Sequence, residues 1–513
     1  MNNFLIDGNN LNSQLAKEIV DKNVPIGISP KAKSNIKRSR DIIEKWIKND
    51  EVIYGVTTGF GEFKNVKIPN KDLETLQRNL IISHCAGVGE PLPKNIVRLM
   101  LLLRINSLAK GFSGVRLELV EYLIRIFSLN IVAYVPSQGS VGSSGDLAPL
   151  AHLASVILGE GYAYYENNLL TAKEALSNAG LKPFVFKAKE GLAMINGTQM
   201  MTAFAVECII RSERISKLSD IAGALSHEAL KGSDNAFNDK LHQARPHKGQ
   251  INTAENLRKL LRNSEIRESH RGCGKVQDAY SLRCMPQVHG AVKDTIEYVK
   301  SVIETEVNSA TDNPLIFPGE NGSDPIHIEG GNFHGEPIAL VMDFLKIALS
   351  ELGNISERRV SRLVDGSLSG LPRFLTSNGG LNSGLMIAQY TSASLVSENK
   401  ILCHPASVDS IPTSSNQEDH NSMGSIASRK CFEVLNNVEK IIAIEFLCAA
   451  QGVDFLKPLK CGKGTGAAYN TIRKSVKHIS DDVITNEYIE NVSGVIYSDG
   501  FLSHIENAAG KLN

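Results

Sequence analysis

Asn95-Ile96-Val97-Arg98-Leu99-Met100-Leu101-Leu102-Leu103-Arg104-Ile105-Asn106-Ser107-Leu108-Ala109-Lys110-Gly111 is the stretch on which the fold reading turns. Ile96, Leu99, Met100, Leu103 and Leu108 recur at helical spacing, and Gly111 supplies a stop. Comparable stripes run through 115–128, 199–231, 290–310, 337–359, 380–402 and 424–452. In the last of these, Phe432, Leu435, Val438, Ile442, Ile444 and Leu447 are separated by polar residues, the pattern of a helix packed into a bundle. Strand-like material is sparse, over 168–170 and 184–187. The chain therefore reads as mainly α.

Gly-, Ser- and Asn-rich connections separate the stripes, at 55–61, 136–145, 191–198, 271–287, 329–337 and 404–424. Loops held by a rigid helical scaffold are where binding groups concentrate. A boundary near residue 205 is expected, with a loop-rich part over 1–205 and long helices over 206–513.

Composition narrows the function classes. The 513 residues carry 55 Lys plus Arg against 55 Asp plus Glu and are 42% hydrophobic, which suits a large core and excludes a disordered chain. Balanced charge with no basic block gives no attraction for nucleic acid or an acidic membrane surface, so a small ligand is expected. The first residues lack a basic, then apolar, leader pattern, and the apolar runs 99–103 and 441–448 are closed by Arg104 and interrupted by Glu445. A cytoplasmic location is expected. The eight cysteines form no Cys-x-x-Cys pair, so neither a zinc site nor a disulfide framework is expected, and no metal.

The most unusual segment is Gly139-Ser140-Val141-Gly142-Ser143-Ser144-Gly145-Asp146-Leu147-Ala148-Pro149-Leu150, where small residues abut a helix start marked by Asp146 and a Pro in the first turn. A nucleophile elbow fails because Asp146 stands where its second Gly belongs. A phosphate loop fails for want of Gly-Lys-Ser/Thr at the required spacing. Two readings stay open: a flexible cap, or a cyclisation in which the Gly145 nitrogen attacks the Ser143 carbonyl. Loss of two waters, one carrying the Ser144 side-chain oxygen, would leave an exocyclic methylidene, a protein-made electrophile. Glycine permits the close approach, and the following helix N-terminus favours electron density arriving on the ring.

The segment resembles the signature of the aromatic amino acid lyase and 2,3-aminomutase family, which makes 4-methylidene-imidazol-5-one (MIO) from Ala-Ser-Gly. The resemblance spans nearly the whole chain. It includes 54–61 (YGVTTGFG), 83–87 (SHCAG), 196–199 (NGTQ), 280–283 (YSLR), 331–334 (GNFH) and 416–420 (NQEDH), in family order. Ser143 departs from the usual alanine, but its side chain takes no part in cyclisation, so MIO is still implied, from Ser143, Ser144 and Gly145.

The resemblance also implies a mainly α fold of the fumarase/aspartase-like type, with a long central bundle and a loop-rich N-terminal MIO-bearing region. It implies a homotetramer whose subunits share active sites. Tyr54 matches the family's general base, which acts when its surroundings lower its pKa. Arg283 matches the carboxylate anchor, a bidentate task suited to guanidinium. Asn196 and Tyr280 correspond to polar groups around MIO and the amine, and Gln277 to a substrate-binding position. Ser83 and His84 occupy the aromatic-recognition position, where histidine can meet an imidazole or a phenol; Phe333 supplies an apolar wall.

Glu418 discriminates more sharply, since histidine-specific members carry Glu there and phenylalanine or tyrosine members generally Gln. A carboxylate pairs with imidazole, while burying it against phenyl is costly. The implied reaction is elimination of ammonia from L-histidine to give urocanate. The alternatives are a histidine 2,3-aminomutase making β-histidine, a tyrosine or phenylalanine ammonia-lyase, and a non-catalytic scaffold. Ser143 and the 57–62 loop depart from the usual histidine pattern, and product retention depends on how tightly that loop closes.

Overall fold

The computed structural model describes residues 3–274, 276–319 and 323–513. Helices dominate it. Those that carry the site and the bundle are α1 (Leu73–His84), α2 (Lys94–Ala109), α3 (Leu117–Ser128), α4 (Ala148–Ile157), α5 (Glu190–Ile195) and α6 (Gln199–Ala229). They continue with α7 (Tyr280–Arg283), α8 (Met285–Glu306), α9 (Glu336–Val364), α10 (Met386–Leu402) and α11 (Gly424–Asp454). The mainly α expectation holds, and each long apolar stripe lies on one of these helices.

Strands among the described residues are short. Phe4–Ile6 pairs in parallel with Ile26–Ile28, and Val88–Pro91 runs antiparallel to Pro136–Gln138. Tyr162–Tyr165 lies between Val132–Ala133 and Asn168–Thr171, and Leu315–Phe317 pairs with Ile326–Ile328. The strand expected over 168–170 is present; the one over 184–187 is not. There the aromatic residues act as anchors instead, the Phe184 ring lying 5.2 Å from that of Tyr122 and 6.1 Å from that of Phe186. The 191–198 connection is also shorter than expected, because α5 occupies its first part.

The described chain divides into two compact units. The first comprises Met1–Ile210, Lys300–Asp343 and Pro405–Arg429, the second Arg211–Val299, Phe344–His404 and Lys430–Asn513. Residue 205 lies inside α6.

In the first unit α2 is buried on every side, and the apolar run is not closed at Arg104 but passes through it. The fully buried guanidinium donates to the Ala193 carbonyl at 3.0 Å, to the Asn196 carbonyl at 2.6 Å and to Gln199 Oε1. Burial lowers its pKa to about 10, with Asp312 and Asp146 acting in the opposite sense. Arg104 thus ties the end of α5 and the start of α6 to one core helix.

The second unit holds a comparable polar centre. Glu445 of α11, fully buried, accepts from Arg359 Nε at 2.5 Å and Nη2 at 2.8 Å, and from Ser226 and Ser356 at 2.6 Å each. His289 of α8 joins Asp220 of α6 at 2.8 Å and Arg359 at 3.3 Å. Four long helices therefore meet at one satisfied charge network, the arrangement that makes a buried ion pair tolerable.

Candidate active site

The glycine-rich loop is held from two sides. On one, Gly145 and Gly197 form a parallel bridge: the Asp146 amide donates to the Gly197 carbonyl at 2.8 Å and the Gly197 amide to the Ser144 carbonyl at 3.4 Å. A Cβ on Gly145, whose φ is +74°, would stand 2.1 Å from the Gly197 oxygen. A Cβ on Gly197, at φ +137°, would meet Gln199 and Arg104 within 2.6 Å. Only glycine fits either position.

On the other side residues 422–425, which lead into α11, bind the loop carbonyls. Ser425 Oγ donates to Ser140 at 2.6 Å, the Met423 amide to Val141 at 2.8 Å and Ser422 Oγ to Gly142 at 2.9 Å. Asp146 does not cap the helix it precedes: α4 begins without a side-chain cap, after Leu147 at φ +32°. Its Oδ2 instead accepts from the Met200 amide at 2.6 Å, capping α6, while the buried Oδ1 has no hydrogen-bond partner among the described residues. Burial raises the Asp146 pKa to about 7, opposed by the amides of Met200 and Met201 and by Arg104.

Over this loop opens a cavity of about 630 Å³, built wholly from the first unit and lined by Tyr54, Ser143, Ser144, Asn196, Phe333 and Glu418, among others. Glu418 Oε2 accepts from Ser143 Oγ at 2.8 Å and Oε1 from Ser144 Oγ at 3.1 Å. Asn196 Nδ2 donates to the Asn313 carbonyl at 3.2 Å, and Asn313 Oδ1 accepts from the Gly330 amide at 2.9 Å, which positions the loop bearing Phe333.

Tyr54 sits on a turn locked by its own threonines. Thr57 Oγ1 accepts from the Ile53 amide and donates to the Glu51 carbonyl, and Thr58 Oγ1 accepts from the Gly55 amide. The Tyr54 hydroxyl accepts from the Gly61 amide at 3.4 Å. Burial raises its pKa; the Gly61 amide opposes this, and the charges of Glu329 and Glu418 add to it. The surroundings within one chain therefore act against the lowered pKa expected of a general base.

His84 ends α1. Its Nδ1 lies 2.7 Å from the Leu80 carbonyl, which can only accept, so Nδ1 carries the hydrogen and a neutral ring presents Nε2 as an acceptor. Burial lowers its pKa, with the Leu80 carbonyl and Glu418 acting to raise it. Ser83 is exposed, 3.1 Å from His84 Nδ1.

Residues 11–474 match the family described as aromatic amino acid lyase. The chain belongs to the aromatic amino acid lyase family. It is 52% identical over 482 residues, 94% of each chain, to histidine ammonia-lyase of Caldanaerobacter subterraneus subsp. tengcongensis. The crystal structure of histidine ammonia-lyase from Trypanosoma cruzi superposes with a TM-score of 0.91 at 44% identity, covering 99% of this chain and 96% of that one. Tyrosine aminomutase from Streptomyces globisporus superposes with a TM-score of 0.93 at 36% identity, each chain covered completely. Like the family, this is an enzyme of carbon–nitrogen bond cleavage. Among the described residues no helix is long and apolar enough to cross a membrane.

Ser83 and His84 are not among the residues that line the cavity, and neither are Gln277, Tyr280 and Arg283. Gln277, Tyr280 and Arg283 belong to the second unit, where Gln277 is exposed and Tyr280 is 71% exposed. The Arg283 guanidinium lies 4.6 Å from the Tyr280 ring centroid, and among the described residues its buried Nε has no hydrogen-bond partner. No motif in the sequence marks Asn313, Arg104 or Thr413, whose Oγ1 donates to Glu418 Oε2 at 2.8 Å. A basic residue inside an otherwise apolar helix stripe was a readable signal for Arg104; Asn313 and Thr413 carry none.

Proposed function

We propose that this enzyme eliminates ammonia from L-histidine to give urocanate, using MIO formed from Ser143, Ser144 and Gly145. The carrying observation is that Glu418, hydrogen-bonded to both serines, shares one cavity with Tyr54. The side-chain-free approach of Gly145 to Gly197 and the orphaned Oδ1 of Asp146 suit a loop that must close on itself. Once formed, MIO supplies the electrophile that activates the substrate for loss of its amine.

The chain's own residues do the rest. Glu418 accepts the imidazole N–H, and Phe333 walls the ring. Ser83 and His84 stand outside the cavity lining, and His84, neutral and with Nε2 as acceptor, donates no hydrogen bond to the remaining acceptor nitrogen of the ring. Asn196, pinned by Asn313, directs its amide at the cofactor and amine. Tyr54 as phenolate removes the β-proton, the ammonia departs, and the Cα–Cβ double bond of urocanate is left.

A phenolate needs nearby positive charge, and a carboxylate substrate needs an arginine. The segment holding Gln277, Tyr280 and Arg283, of which Gln277 and Tyr280 are exposed and none lines its own chain's cavity, supplies both when presented by a neighbouring copy in a homotetramer. Apolar surface suited to assembly exists on the second unit, where a groove of about 760 Å³ between α8 and α9 includes Tyr298, Phe344 and Ile347.

Proton NMR of the purified protein with L-histidine tests the reading by following substrate, urocanate and β-histidine together. Urocanate with equimolar ammonia is the expected result. β-Histidine appearing first, with urocanate as a minor leak, would transfer the assignment to a 2,3-aminomutase, a reading that the Ser143 departure and the likeness to tyrosine aminomutase favour.

A further inference from the structure

We propose that the Ser143 hydroxyl, together with Thr413, is a positioning device for Glu418 that reserves one carboxylate oxygen for the protein and the other for the substrate's ring. The inference rests on the histidine reading above and extends it to two hydroxyls with no part in the chemistry itself. Ser143, 4% exposed, donates to Glu418 Oε2 at 2.8 Å, and Thr413 Oγ1 donates to the same oxygen at 2.8 Å. Asn421 Nδ2 donates to Thr413 Oγ1 at 3.4 Å, which leaves the threonine proton directed at Glu418.

The backbone around Glu418 is arranged to the same end. Thr413 and Glu418 exchange backbone hydrogen bonds of 2.9 and 3.3 Å, closing a turn in which Ser414, Ser415 and Asn416 have φ of 51°, 53° and 64°. Three successive non-glycine residues in the left-handed region are unfavourable unless the surroundings over-determine them. Lys64 adds a further tie, its Nζ lying 2.5 Å from Gln417 Oε1.

Oε1 is held differently. Among the described residues it accepts from Ser144 Oγ, at 3.1 Å. Cyclisation expels the Ser144 oxygen in one of the two waters, whereas the Ser143 hydroxyl stays. Maturation therefore removes the donor on Oε1 and keeps both donors on Oε2, so the carboxylate keeps its orientation and Oε1 is released to accept the imidazole N–H. With alanine at 143, as is usual in the family, Oε2 would keep one donor and the carboxylate could rotate.

The test uses the intact enzyme carrying Ser143→Ala. Expected are an unchanged two-water mass deficit and a KM for L-histidine and a calorimetric Kd for urocanate that rise together by about three- to tenfold, with a smaller fall in kcat. Thr413→Val should move Kd in the same direction, and it serves where Ser143→Ala folds poorly. In a Glu418→Ala background, Ser143→Ala should leave the urocanate Kd unchanged, because nothing remains to be positioned. A Ser143→Ala enzyme matching the wild type in KM and Kd overturns the proposal, as does an equal loss in the Glu418→Ala background. A wild type that turns over no histidine fails differently, taking the histidine reading down as well.

Discussion

Gly145 and Gly197 touch where neither has room for a side chain, and in the proposed cyclisation Ser144 has a single chemical task. Ser144→Ala should abolish the two-water mass deficit and lower turnover by several orders of magnitude while the fold persists; intact-mass spectrometry with steady-state kinetics checks both, and near-normal turnover would end the MIO mechanism. Glu418 has a separable task. A carboxylate is a stronger acceptor for an imidazole N–H than a carboxamide, so Glu418→Gln should reduce kcat/KM on L-histidine by about tenfold or more and impair L-tyrosine less. Parallel kinetics on the two substrates decide it.

Between elements, two buried acids hold helices in place by opposite means. Asp146 caps α6 across the loop with a carboxyl whose pKa burial has raised to about 7 from an ordinary 3.8. The folded state therefore keeps a proton that the unfolded chain has lost. This group's contribution is fully present below pH 3.8 and is lost as pH rises through about 7. Asp146→Asn retains the acceptor without the titration, so its urea midpoint should gain on the wild type between pH 5 and pH 8, by at most about 1.4 kcal/mol per pH unit at fixed protein concentration. Glu445 of α11 instead stays bound to Arg359 and Ser356 of α9 and to Ser226 of α6. Glu445→Ala strands a fully buried guanidinium and should cost about 3–5 kcal/mol, read as a lowered denaturation midpoint; replacing Arg359 as well, by Met, should recover part of the loss.

In the whole molecule, the cavity holding Tyr54 and the segment holding Arg283 belong to different units of the chain. If copies complete one another's sites, Tyr54→Phe and Arg283→Ala are each nearly inactive alone but complement when co-expressed. Random mixing leaves about a quarter of sites with both native groups, so activity should return to about that fraction of wild type. Mixed assemblies that remain inactive would show that each chain completes its own site. Such an assembly would also account for the Tyr54 hydroxyl, whose pKa burial and two carboxylates raise within one chain.

The long helices were legible from residue order because a 3.6-residue apolar repeat is a local property, and α6, α8, α9 and α11 each follow such a stripe. The loop signature and the glycines at 145 and 197 were legible for a similar reason, since residue type alone limits which backbone shapes are open. Periodicity did not reveal that α2 runs through Arg104, because a buried guanidinium is tolerable only once the Ala193 and Asn196 carbonyls converge on it. Nor did it show that Asp146 caps α6 instead of its own helix, or that burial raises the pKa of Tyr54. Ser143 and Glu418 stand 275 positions apart, and neither residue type encodes the other. Their meeting depends on two loops brought together by packing, a long-range event that only the tertiary structure decides.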